Sequence, residues 1–170
     1  MTKCFLIFVT WCVIIPLMRT IKRDIVAALV YSKDNKLLMG KKDSNGGGVY
    51  SDCWQIPGGG IEEGESKEQA LIREIKEEVG IDVTQYALEF VIDEDRDTTE
   101  KTLKDTGEKV LVEMQFYVYK IVLADKNSSE IVVSPIDEFI EARWFDITEL
   151  SSIKLPPPSE KYFRKIGYIK

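Results

Sequence analysis

Short apolar runs typical of β-strands, separated by turn signals, occur along much of the chain. The run IVAALVYS, beginning at Ile25, is followed by DNKLLMGKK, and the pair Asp34-Asn35 between them is suited to a tight turn. We therefore predict a β-hairpin here. The short run CWQI, which ends before Pro57, predicts a further strand.

The period changes to that of a helix after Ser66. Ser66 and Gln69 have the spacing of a capping box, and Gly80 supplies a stop signal. The apolar positions of the predicted helix form one stripe that would pack on a sheet: Leu71, Ile72, Ile75 and Val79.

The second half of the chain returns to strand patterns. One run begins at Tyr86 and a second spans 109–123, and each predicts a strand. The charged stretch between them predicts a mobile loop. EARWFD predicts another strand, ITELSSI a helical turn, and the residues after the prolines a C-terminal helix begun by Ser159. This order predicts an α/β domain with a mixed sheet and helices on both faces.

The composition of the chain limits the partners and the catalytic groups that it can use. The chain has 170 residues, enough for one domain, and its net charge of -6 gives no broad attraction to a nucleic acid polymer or an anionic membrane. The three cysteines have no metal-site spacing, so we predict reduced thiols in a cytoplasmic protein. The absence of histidine removes the usual general base and zinc ligand.

Residues 1–18 differ in composition from the rest. Cys4 to Met18 is an apolar run of fifteen residues, short for a membrane span of about 20 residues and without a small-residue cleavage site. We divide the chain into an N-terminal extension (1–18) and a domain (19–170). The extension is a packed apolar segment or non-native start, a membrane anchor, or a secretory signal. A membrane is a partner only if this segment is native and exposed.

Three carboxylates share one arc of the predicted helix. At about 100° per residue, Glu74, Glu77 and Glu78 fall within about 100° of one another, beside the apolar stripe. Their repulsion favours a divalent cation, and hard oxygen ligands suit Mg²⁺, Mn²⁺ or Ca²⁺ and not zinc. The alternative is a solvated charged face in which Arg73 pairs with Glu77.

The preceding glycines bear on this choice. Gly58, Gly59 and Gly60 let the backbone approach the helix closely, with carbonyls for a metal and amides for a phosphate. The alternative is a plain tight turn after Pro57.

The segment from Gly59 to Ile81 resembles the complete 23-residue signature of the Nudix hydrolases, with every fixed position filled. The resemblance implies an α/β/α sandwich with a mixed sheet, and hydrolysis of a nucleoside diphosphate linked to another group. It implies Mg²⁺, with Mn²⁺ as a second option. The residue roles it implies are metal ligands at Glu77 and Glu78, a ligand or general base at Glu74, an orienting Arg73, an outer acid at Glu65 and a metal contact at the Gly58 carbonyl.

Residues outside the signature resemble the MutT type, which cleaves nucleoside triphosphates. Glu138 precedes Trp144 by six residues, as a metal-binding glutamate does in that type, with a solvated loop acid as the alternative. Ser159 replaces an asparagine that reads the purine edge, and one hydroxyl cannot supply the paired donor and acceptor of an amide. Preference for an oxidised purine and an N-cap role for Ser159 are both left open.

Further substrate contacts are implied near the phosphates. Lys42 matches the position of a basic residue there, with a plain surface lysine as the alternative, and Gly59 and Gly60 complete the substrate-binding set. Asp97 stands where ADP-ribose hydrolases have proline and dinucleoside polyphosphate hydrolases have tyrosine, which disfavours both substrates.

We therefore predict a Mg²⁺-dependent enzyme that cleaves a nucleoside triphosphate to a nucleoside monophosphate and pyrophosphate. The alternatives are a hydrolase of another nucleoside diphosphate derivative, such as a nucleotide sugar or ADP-ribose, and a non-catalytic Nudix sensor that only binds a nucleotide.

Overall fold

The computed structural model describes residues 18–43, 50–103, 105–136 and 138–170, without the side chains of 92–95. The predicted extension lies outside these residues except for Met18, so the division at residue 18 stays a prediction. Among the helices described, none combines the length and apolar character that a membrane span requires.

A mixed sheet of seven strands runs through the described residues. The strands are β1 (Thr20–Ser32), β2 (Leu37–Lys42), β3 (Trp54–Gln55), β4 (Gly58–Gly60), β5 (Glu89–Thr102), β6 (Lys109–Leu123) and β7 (Phe139–Phe145). The order is β3-β2-β1-β6-β5, with β4 also beside β1 and β7 also beside β2. β1 and β6 run parallel and the other pairs are antiparallel.

One helix packs on each face of this sheet because side chains alternate along β1. Val26 and Val30 belong to the apolar cluster that contains Ile75 of α1 (Lys67–Val79). Leu29, from the opposite face, belongs to the cluster that contains Phe163 of α2 (Pro157–Lys165). The predicted sandwich is thereby confirmed.

Local signals placed the hairpin and the first helix correctly. Asn35 turns the chain between β1 and β2 with a φ of 64°. The Ser66 hydroxyl accepts from the Gln69 amide at 3.2 Å, and the Gln69 side chain accepts from the Ser66 amide at 2.8 Å. Gly80 ends α1 in the left-handed conformation, with a φ of 73°.

Three local predictions were wrong. β1 begins at Thr20 and not at Ile25, and the charged stretch predicted as a loop continues β5 as far as Thr102. Its backbone pairs with β6 from Glu89 through Thr102, so tertiary hydrogen bonds override the weak strand propensity of charged residues. α2 begins at Pro157, where a missing N–H costs nothing, so Ser159 is not the N-cap.

The pairing of β7 with β2 sets the position of the loop before β7. A Cβ on Gly40 would lie 2.1 Å from the Phe139 ring, so only glycine allows the strands to approach this closely. This approach brings Glu138, which precedes β7, against Lys42 at the end of β2.

Candidate functional site

The three glycines of β4 meet the carboxylates of α1. β4 pairs with β1 so that Gly58 lies opposite Ala27 and Gly60 opposite Ile25. A Cβ on Gly59 would lie 2.4 Å from the carboxyl carbon of Glu74. The predicted close approach of this backbone to the helix is therefore confirmed.

Glu78 is the buried acid of the site. Its residue surface is only 3% exposed, and its carboxylate accepts a hydrogen bond from the Gly58 amide at 2.8 Å. Burial raises the pKa of Glu78 to about 8, although the Gly58 hydrogen bond and the charge of Lys42 act in the opposite direction. The charged form is thus undercompensated without a further cation.

Arg73 ties the acids of the signature together. Its Nε and Nη2 donate to Glu65 at 2.7 and 2.8 Å, and Nη1 donates to Glu74 at 2.8 Å and to Glu77 at 3.0 Å. Nη2 also donates to the carbonyl of Gly60 at 3.0 Å. This rigid fork holds Glu74 in place, in agreement with the orienting role that the resemblance implies.

The network separates the pKa values of these carboxyl groups. The hydrogen bond from Arg73 lowers the pKa of Glu65 to about 2. Burial raises the pKa of Glu74, and Arg73 offsets that only in part. Glu65 therefore remains a charged anchor, while Glu74 is the member of the pair whose charge is poorly solvated.

Glu138 and Lys42 form an ion pair at the edge of this cluster. Burial raises the pKa of Glu138, but the hydrogen bond and charge of Lys42, with the charges of Lys101 and Arg23, bring it below its ordinary value. The charge of Glu138 in turn raises the pKa of Glu78. The structure thus brings Lys42 and Glu138 together near the carboxylates, and their roles in substrate and metal binding stay predictions.

The loop that carries Glu138 is anchored on the end of α1. The Ile136 amide donates to the carbonyl of Glu78 at 2.9 Å, and the Ser134 amide donates to that of Val79 at 3.2 Å. These bonds satisfy carbonyls that a helix end leaves free. Sequence reasoning missed this anchor because backbone donors leave no residue-type signal.

Ser159 lines a cavity of about 90 Å³ on the α2 side of the sheet, together with Gly58. The other walls are mostly apolar and include Ile25, Ile56 and Phe116. Ser159 therefore lies at the site, although it does not cap the helix. A polar cleft of about 570 Å³ lies elsewhere along β1, β5 and β6, and Arg23 and Asp97 are among its lining residues.

The carboxylates fit a hard cation in chemistry. In the described part of the chain, no three acidic or cysteine side chains converge in metal-binding geometry, and Arg73 donates hydrogen bonds to Glu74 and Glu77. The donors are all oxygens, and the buried Glu78 has less positive compensation than its charge requires. These oxygen donors suit Mg²⁺ or Mn²⁺ in chemical type, and metal ligation by them stays a prediction.

Residues 21–166 match the family described as NUDIX domain. The chain belongs to the Nudix family. This match covers most of the chain and confirms the predicted membership. Nudix hydrolases generally use divalent metal ions.

Similar proteins agree with this Nudix assignment. The nucleoside triphosphatase NudI of Escherichia coli is 30% identical over 153 residues, which cover 87% of this chain and 99% of that protein. An RNA pyrophosphohydrolase of Hydrogenovibrio crunogenus is 42% identical over 60 residues, which are 35% of this chain and 33% of that protein. This chain thus matches only a third of the second relative's length.

A solved structure supports the fold. The MutT protein of Methanosarcina mazei Go1 superposes with a TM-score of 0.63 at 20% identity, covering 89% of this chain and 96% of that one. The two chains therefore share the same fold.

Sequence reasoning also missed Arg23. Its Nη2 lies 3.0 Å from the position of a Cβ on Gly60, so the guanidinium packs against the last glycine of β4. This contact depends on the pairing of β1 with β4, and β1 was predicted to begin two residues after Arg23. No signal in the sequence connects the two residues.

Proposed function

We propose that this Nudix protein is a Mg²⁺-dependent pyrophosphohydrolase that converts a nucleoside triphosphate and water to a nucleoside monophosphate and pyrophosphate. The observation that carries the proposal is the buried Glu78 carboxylate, hydrogen-bonded to Gly58 near Glu74, whose side chain is only 15% exposed. Such a pair disfavours its own charge without a cation, and a glycine backbone with amides beside it suits a phosphate.

The carboxylates divide into ligands and a base. Glu77, Glu78 and Glu138, with the carbonyl of Gly58, would hold the metal, and Glu74 is a ligand or the base that accepts the proton of the attacking water. A bound Mg²⁺ supplies positive charge at the phosphoryl oxygens and favours deprotonation of that water. Mn²⁺ would serve the same role, since its ligand preferences are similar.

Arg73 prepares Glu74 for either role. It holds one carboxylate oxygen at 2.8 Å while its other donors are fixed by Glu65 and the Gly60 carbonyl. The orientation of Glu74 is therefore set before substrate binds, which reduces the reorganisation that the reaction requires. One P–O bond forms to the water oxygen and the bridging P–O bond breaks, so atoms and charge balance with one released proton.

The remaining predicted residues suit the substrate. Gly59 and Gly60 are the glycines that the Nudix signature implies at the substrate, and Lys42 supplies a cation near the same carboxylates. The mostly apolar walls of the cavity with Ser159 suit contact with part of a nucleobase, and the single hydroxyl favours loose selection of the base. The similarity to a nucleoside triphosphatase over 99% of that relative supports the triphosphate.

A second candidate substrate is the triphosphorylated 5′ end of an RNA, contrary to the prediction that no nucleic acid polymer is a partner. The observation that favours it is the size of the polar cleft, about 570 Å³, which exceeds the needs of a triphosphate alone. Its lining balances three basic residues with three acidic ones: Lys22, Arg23, Arg96, Asp24, Asp97 and Glu113. A relative named as an RNA pyrophosphohydrolase agrees with this candidate.

The cytoplasmic location stays a prediction from cysteine usage.

A substrate panel tests the proposal. The purified chain is assayed with nucleoside triphosphates, oxidised variants, ADP-ribose, nucleotide sugars, diadenosine polyphosphates and a 5′-triphosphorylated RNA, with Mg²⁺ or with EDTA. We expect Mg²⁺-dependent release of monophosphate and pyrophosphate from a nucleoside triphosphate. Tight nucleotide binding without turnover of any compound would support the sensor instead.

One variant tests the site itself. Glu77→Gln removes a charge from a side chain that is 52% exposed, so the fold should persist while metal-dependent turnover is lost. Circular dichroism checks the fold, and an undiminished rate would contradict the assignment of the metal ligands.

A further inference from the structure

Arg23 is a cation beside the last glycine of β4, and it has no fixed partner in the part of the chain that the structure describes. Among the described residues, no hydrogen bond or ion pair holds its guanidinium. The neighbouring cations Lys42 and Arg73 are both held by glutamates. An arginine without an internal partner keeps all its donors free for a ligand.

The guanidinium is nevertheless in a defined place. Its Nη2, Cζ and Nε lie 3.0, 3.7 and 4.0 Å from the position of a Cβ on Gly60, so the group lies across the last glycine of β4. This contact fixes where the guanidinium lies, at the end of β4.

The two ends of β4 differ in their surroundings. Gly58 lines the apolar cavity that contains Ser159, whereas Gly60 meets Arg23, which lines the polar cleft. At about 3.3 Å per residue, the two glycines lie roughly 7 Å apart along the strand. A nucleoside in the cavity would then extend its phosphates along β4 toward Arg23.

We propose that Arg23 binds the pyrophosphate end of the substrate, the phosphates farthest from the nucleoside, and that Gly60 is required to leave room for its guanidinium. This inference rests on the proposed function, and it names Arg23 as the residue that holds the pyrophosphate part of the substrate. The planar fork of arginine matches two oxygens of a phosphate, and such charge-assisted hydrogen bonds are strong.

Product binding separates this role from a general effect of charge. Arg23→Gln should raise the KM for the triphosphate and the inhibition constant for pyrophosphate by roughly tenfold or more, and leave the inhibition constant of the nucleoside monophosphate within about twofold. The inhibition constant of Arg23→Lys for pyrophosphate should fall between those of the wild type and Arg23→Gln. Equal weakening of both products, or of neither, would overturn the proposal.

Arg19→Gln is the matched control. Arg19 immediately precedes β1, carries the same charge, is exposed and pairs with Glu108 at 2.6 Å, away from the glycines. Arg19→Gln should leave the inhibition constants of pyrophosphate and of the nucleoside monophosphate unchanged. A loss of pyrophosphate affinity equal to that of Arg23→Gln would show that only net charge matters.

Gly60→Ala tests the contact without removing the charge. Its Cβ would lie 3.0 Å from Nη2, the flexible end of a side chain, so the strand should persist while the guanidinium is displaced. Pyrophosphate affinity should fall, and combining Gly60→Ala with Arg23→Gln should add little further loss. Fully additive losses would contradict the pairing of the two residues.

Calorimetric titration keeps this proposal distinct from the proposed function. If the wild-type chain turned over no nucleoside triphosphate, the proposed function would fail, but Mg²⁺ with inorganic pyrophosphate can still be titrated into the wild type and Arg23→Gln. Weaker binding by the variant supports the role of Arg23. Equal affinity overturns it whether or not the enzyme is active.

Discussion

The Glu78 carboxylate accepts a hydrogen bond from the Gly58 amide at 2.8 Å, which joins the last turn of α1 to the first residue of β4. The bond satisfies one oxygen of a carboxylate that is almost wholly buried. It does not compensate the charge, because burial still raises the pKa of Glu78 to about 8. The site is therefore destabilised by its own ionisation until a cation is present.

This relationship predicts the pH dependence of stability in EDTA. The pKa of Glu78 lies near 4.5 in the unfolded chain and about 8 in the folded one, so the folded state binds more protons between these values. The contribution of Glu78 to stability is thus lost as pH rises through this window, by up to about 1.4 kcal/mol per pH unit. Urea unfolding at intervals between pH 5 and pH 8 measures it.

Two variants separate Glu78 from the other titrating groups. Glu78→Gln cannot ionise, so its free energy of unfolding should fall less steeply with pH, whereas Glu77→Gln, with a half-exposed side chain, should follow the wild type. Parallel curves for Glu78→Gln and the wild type would contradict the buried charge. Mg²⁺ at pH 8 should stabilise the wild type more than Glu78→Gln.

Gly59→Ala should inactivate the enzyme without unfolding it. Its Cβ would lie 2.4 to 2.5 Å from the carboxyl atoms of Glu74, which sit at the end of a flexible side chain and can move aside. We expect kcat to fall by at least about tenfold, because small displacements of a catalytic group are costly. Initial rates and thermal melts check this, and full activity would show that the position of Glu74 is not critical.

Arg73→Lys should also reduce kcat by about tenfold or more. Lysine keeps the charge but cannot hold Glu65 through two donors while it also contacts Glu74 and the Gly60 carbonyl. Steady-state kinetics measure the loss. Unchanged kcat would mean that charge alone, and not the fork geometry, orients Glu74.

Ile75→Ala should lower the free energy of unfolding by about 2–5 kcal/mol. Ile75 is fully buried between α1 and the sheet, and its truncation leaves a cavity. The control is Lys76→Ala on the exposed face of the same helix, which should change stability by less than about 0.5 kcal/mol. Denaturant unfolding distinguishes the two, and similar values would contradict the packing of α1.

The sequence by itself determined the elements whose signals are local. The capping box of Ser66 with Gln69, the stop at Gly80 and the stripe through Ile75 all depend on residues within a few positions of each other. The same spacing placed Glu74 and Glu78 on one side of the helix. A signature that lies almost entirely on one turn and one helix can be recognised because its geometry is set by the helical repeat.

The tertiary structure decided what depends on residues far apart in the chain. The charged residues that end at Thr102 form a strand because they pair with β6. The pairing of β1 with β4 places the Arg23 side chain against Gly60. The anchor of Ile136 on the Glu78 carbonyl uses a backbone N–H. Backbone hydrogen bonds between distant segments form independently of side-chain type, so the sequence carries no local signal for them, and only the folded sheet brings these groups together.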